Sequence, residues 1–63
     1  MSGPVRFTVE LPHPAALALA QFLKRVGWSE MRTCSVDDQE CHWIRDALAE
    51  VRRALNEAGF DPR

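Results

Sequence analysis

Apolar and polar residues alternate strictly over one short stretch of this chain and follow a helical period over most of the rest. In the stretch Val5 to Leu11, the residues Val5, Phe7, Val9 and Leu11 point one way and Arg6, Thr8 and Glu10 the other. That period of two is the mark of a half-buried strand. A lone strand leaves a row of backbone N–H and C=O groups unpaired, so it needs a partner strand. The expectation is an α+β domain: a strand over residues 5–11 and two helices, with the strand paired across a homodimer.

Pro12 ends the strand, and Pro14 suits a first helical position, where its missing N–H costs nothing. From residue 14 to 26, Ala16, Leu19, Ala20, Phe22, Leu23 and Val26 form an apolar stripe, with Lys24 and Arg25 in the last turn. Gly27 is expected to end this helix in the left-handed conformation, with Trp28 folding back on Leu23. The segment Met31 to Val36 reads either as a second short strand or as an irregular loop. A second helix is expected over residues 36–58, capped by Ser35 with Asp38 three positions on. Ile44, Ala47, Leu48, Val51, Ala54, Leu55 and Ala58 give it one apolar face. Gly59 should stop it, Phe60 should return to Leu55, and Pro62 forbids continuation. The expected core is Leu19, Phe22, Leu23, Ile44, Leu48, Val51 and Leu55.

The 63 residues suffice for a single domain, 1–63. At this size only about 60% of the unfolded surface is buried on folding, which puts a premium on oligomerisation. Eight basic and nine acidic residues give a net charge of −1, against the basic excess usual in nucleic-acid binders. The start Met1-Ser2-Gly3-Pro4 does not read as a signal peptide and no apolar run is long enough to span a membrane, so a cytoplasmic location with two free thiols is expected.

Candidate chemistry is sparse. Cys34, Cys41, His42 and His13 are the available zinc ligands, but neighbours such as Cys41 and His42 diverge by about 100° on a helix. The same divergence, and the lack of an oxyanion device, argue against a Cys–His nucleophile. Cys41 is expected to pack near Ile44, with His42 exposed and His13 serving the turn before the helix. The carboxylates Asp37, Asp38 and Glu40 fit a helix start and lack the spacing of a calcium loop. No catalytic residue, metal site or cofactor is therefore assigned, and the chain is not expected to be an enzyme. For partner binding the candidates are Trp43, Arg45, Arg52 and Arg53, since exposed Trp and Arg dominate binding hot spots. Trp43 reads equally as cover for the core edge. The arginines alternate with Asp46, Glu50 and Glu57, as on a solvated mixed-charge face.

The order strand, helix, helix, with an alternating strand ending in Leu11-Pro12, resembles the ribbon-helix-helix repressors. That resemblance implies a DNA-binding regulator whose ribbon would present Arg6, Thr8 and Glu10 to the major groove. Two features depart from the pattern: Gly27 to Ser35 exceeds a tight inter-helix turn, and Glu10 is ill suited to a phosphate-rich groove. The runs Leu17-Ala18-Leu19-Ala20-Gln21-Phe22-Leu23-Lys24-Arg25-Val26-Gly27, Arg45-Asp46-Ala47 and Arg52-Arg53-Ala54-Leu55 look like those of small phage and mobile-element proteins. Anti-CRISPR proteins are among these. This second resemblance implies a non-catalytic inhibitor of a protein or nucleoprotein effector complex, and it is the preferred expectation for function. DNA-binding regulation comes second, and an antitoxin-like or structural partner of another small protein third.

Overall fold

A computed structural model describes residues 3–60. The described residues form three helices: α1 (His13–Arg25), α2 (Trp28–Thr33) and α3 (Asp38–Glu57). They contain no strand. The α+β expectation is overturned, because residues 5–11 form neither helix nor strand and their backbone pairs with no other described residue. Alternation favours an extended backbone, yet a strand exists only with a ladder partner. The in-chain candidate partner, Met31 to Val36, is spent on the last turn of α2 and the bends that follow it.

Helix α1 begins one residue earlier than expected. Pro12 is its N-cap, and the Pro12 carbonyl accepts the Ala16 N–H at 3.0 Å. The helix stops at Arg25 without a left-handed glycine. Val26 is extended and donates its N–H to the Phe22 carbonyl at 2.9 Å. Gly27 has φ −113° and ψ 178°, so the expected left-handed ending is absent there. It caps the start of α2 instead, donating its N–H to Glu30 Oε1 at 2.6 Å. Trp28 is thus the first residue of α2 and not a lid on α1. Its ring lies against His42, with centroids 4.8 Å apart. Six residues give less than two turns, too short a window for a hydrophobic period to register in the sequence.

Helix α3 starts at Asp38 and not at residue 36. Its N-cap is Asp37, whose carboxylate accepts the Glu40 N–H at 2.8 Å. Glu40 Oε1 reaches back to the Val36 N–H at 3.0 Å. This two-way exchange was expected of Ser35 and Asp38. Ser35 Oγ instead donates to the Met31 carbonyl at 2.6 Å and closes the end of α2. At the other end the sequence reading holds. Gly59 has φ +98°, Phe60 donates its N–H to the Leu55 carbonyl at 2.8 Å, and Gly59 donates to Asn56 at 3.0 Å. These two bonds make a Schellman ending. The stop expected of Pro62 lies outside the described residues, as do Met1 and Ser2.

Both shorter helices pack on α3. The buried residues are Ala16, Ala20 and Leu23 of α1 and Cys41 of α3, the last with no exposed surface. Of the seven expected core residues, only Leu23 is buried. Leu19, Ile44, Leu48, Val51 and Leu55 are half-buried, and Phe22 is exposed. Ala16, Ala20 and Leu23 succeed one another at spacings of four and three, so they lie on one line of α1. With small residues on the buried line, the larger side chains flank it, and Phe22 lies about 120° off it. The expected placement of Cys41 as a small buried residue and of His42 as an exposed one is met.

Candidate functional site

The four residues expected to form one partner-binding patch do not share a surface. Along α3 successive residues turn by about 100°, which sets Trp43 about 160° from Arg45 and 180° from Arg52. Arg45, Arg52 and Arg53 rim one hollow of about 330 Å³. Its apolar floor comes from all three helices: Leu23 and Val26 from α1 and its end, Met31 from α2, and Leu48 from α3. Gly27 makes this possible, because its sharp exit from α1 and immediate entry into α2 bring Val26 and Met31 to the same side of α3. Trp43 faces elsewhere and is 64% exposed. It does not cover the core edge.

The three arginines differ in their surroundings. Arg53 Nη2 donates to Glu50 Oε1, and its Nη1 lies 3.7 Å from Glu57 Oε2. The hydrogen bond that Arg53 donates to Glu50, and then the charges of Glu50 and Glu57, hold the Arg53 guanidinium above its ordinary pKa. Arg45 Nη2 donates to Asp46 Oδ1 at 3.3 Å. Among the described residues Arg52 has no carboxylate partner. A guanidinium without a partner, beside two others and above an apolar floor, suits a carboxylate or phosphate presented with an aliphatic neighbour.

A second depression of about 580 Å³ lies on another side of α3. One wall is Val5, Phe7, Val9 and Leu11 of the segment before α1, and the other includes Leu19 of α1 and Val51, Ala54 and Leu55 of α3. The alternation seen in the sequence is therefore used, with the odd-numbered row turned to the groove. The even-numbered residues Arg6, Thr8 and Glu10 are exposed. Trp43 precedes Ala47 by one turn and so shares the α3 side of this groove, without lining it, rather than the side of the arginine hollow. Sequence spacing carried that signal, since Trp43, Ala47, Glu50 and Ala54 recur at helical intervals.

The thiol and imidazole groups do not converge. Cys41 is enclosed in the core, His42 lies tilted against Trp28, and Cys34 is exposed. His13 is the first residue of α1 and not its cap, and its ring lies 5.0 Å from Phe60 at the end of the chain's last helix. Among the described residues no group of three or more His, Cys, Asp or Glu side chains is placed to hold a metal ion. Asp37, Asp38 and Glu40 are spent locally: Asp37 and Glu40 cap α3, and Asp38 accepts from Arg32 Nε at 2.5 Å. Among the described residues no helix is long and apolar enough to cross a membrane.

Comparison with known proteins gives a family but no function. No curated protein and no solved structure matches the chain significantly. Over residues 1–63 the sequence matches the model of a family of unknown function, DUF7706, and the chain belongs to that family.

Proposed function

We propose that the protein is a non-catalytic binding module of regulatory or inhibitory kind, acting in the cytoplasm on a protein or nucleoprotein partner. The observation that carries this reading is the arginine-rimmed hollow, with Arg52 unpartnered among the described residues and an apolar floor beneath it. Such a site suits an acidic segment with an aliphatic anchor. The floor supplies burial and the rim supplies charge-assisted hydrogen bonds. Blocking a CRISPR effector is one concrete form of the reading, and only the resemblance of the α1 and α3 sequence runs speaks for it. DNA binding through Arg6, Thr8 and Glu10 gains no support from the fold, since residues 5–11 form no strand and one cation among three side chains is weak attraction for phosphates.

The experiment is an affinity capture from host lysate with and without nuclease, using the wild-type protein and Arg52→Glu. Capture of a defined protein that survives nuclease and is lost in Arg52→Glu, with helicity unchanged by circular dichroism, is the expected outcome. Equal capture by both proteins would remove the hollow from the binding site. Capture abolished by nuclease, or direct DNA binding that weakens steeply with salt, would select the nucleic-acid reading.

A further inference from the structure

The molecule is thin. Its principal extents are 33 × 30 × 16 Å, and one helix with its side chains is itself about 10–12 Å across. Its radius of gyration is 12.9 Å, against about 11 Å for a compact domain of this length. Its accessible surface is 5350 Å². A compact monomer of 7.2 kDa exposes about 4,100 Å², so about 1,200 Å² more than expected remains uncovered.

Three of the five most exposed large apolar side chains, Val5, Phe7 and Val9, lie on one short segment. Val5 is 83% exposed and Phe7 75%, on a segment that makes no backbone pairing with the other described residues. They stand beside the 580 Å³ groove, where the charged lining residue is Glu50, already bound to Arg53. A face of this kind fits a surface like itself. Each copy offers both an apolar ridge, the row Val5, Phe7 and Val9, and a groove to receive one. A two-fold axis satisfies both at once, as in an isologous dimer. The molecule as a whole exposes about 1,200 Å² more than a compact monomer of its size, an excess of the kind that association covers.

From this surface we infer that the occupant of the groove is a second copy of the chain, the two plates stacking face to face with Phe7 of each packed against α3 of the other. The contact is between side-chain faces and needs no strand pairing. It lies apart from the arginine hollow, so it stands or falls independently of the function proposed above.

Sedimentation of the wild-type protein at about 50 μM should give twice the 7.2 kDa chain mass, and the melting temperature should rise with protein concentration, as linkage to association requires. Phe7→Asp places a charge on a side chain that is open in the single chain, so it should yield a monomer that keeps its helicity. Ala54→Arg, on the opposite wall, should do the same. Val36→Asp, also highly exposed but not lining the groove, should remain dimeric. If Phe7→Asp proves unfolded, the concentration dependence of the wild-type melting temperature decides. A wild-type monomer whose melting temperature ignores concentration would overturn the inference, and so would a dimer indifferent to both groove substitutions.

Discussion

Leu23 and Leu17 lie on the same helix and differ in burial, so truncating each to Ala isolates what the core is worth. Leu23 is 6% exposed and Leu17 38%. The change removes three carbons at either site, and the helix propensity term is common to both. At Leu23, three buried carbons at about 0.8 kcal/mol each give about 2.4 kcal/mol of transfer energy. A cavity term adds to this, since the neighbouring core residues Ala16, Ala20 and Cys41 are too short to lean into the gap. Part of the void opens onto the arginine hollow, which Leu23 helps to floor, and that limits the cavity term. The expected loss is about 3 kcal/mol. For a domain this small 1 kcal/mol corresponds to about 4–8 °C, so the melting temperature should fall by about 20 °C. Leu17→Ala should cost about 1 kcal/mol, since the position is partly solvated already. Urea titrations followed by circular dichroism at 222 nm, at one fixed protein concentration, give both numbers. Losses within about 0.5 kcal/mol of each other would refute the assignment of the α1 face that packs on α3.

Two further outcomes test local structure. Asp37→Ala removes the acceptor that holds the Glu40 N–H, and thermal melts should show a loss of about 1 kcal/mol, whereas Ser35→Ala should leave the start of α3 intact. A thiol reagent under native conditions should label Cys34 at once and Cys41 only after denaturant is added, because Cys34 is exposed and Cys41 has no exposed surface. Rapid labelling of both thiols would show that the contact of α1 with α3 opens readily.

Local chemistry was legible where it acted within a few residues. Pro12 and Pro14 announced the start of α1. Gly59 followed by Phe60 announced the end of α3, and the 3.6-residue period announced both long helices. Each of these signals is complete within one turn, so neighbours far along the chain cannot overrule it. The sequence also separated the buried Cys41 from the exposed His42, since adjacent helical positions face apart.

What the sequence left open depended on which surfaces meet. Gly27 carries no mark that distinguishes ending one helix from starting the next. The bond from its N–H to Glu30, and the packing of α2 on α3, settled it. The alternation of residues 5–11 encodes an extended backbone with two unlike faces, but a strand needs hydrogen-bonding partners, which the other described residues do not supply. Likewise the stripe on α1 placed Phe22 and the alanines on one apolar face. Close packing on α3 then enclosed Ala16, Ala20 and Leu23 and left Phe22 outside. The arginines of α3 belonged together in sequence with Trp43. The hollow kept Arg45, Arg52 and Arg53, because its floor is assembled from three helices and faces one side of α3 alone. Periodicity determines which residues share a side of their own element, and only the contact between elements decides which of those sides is covered.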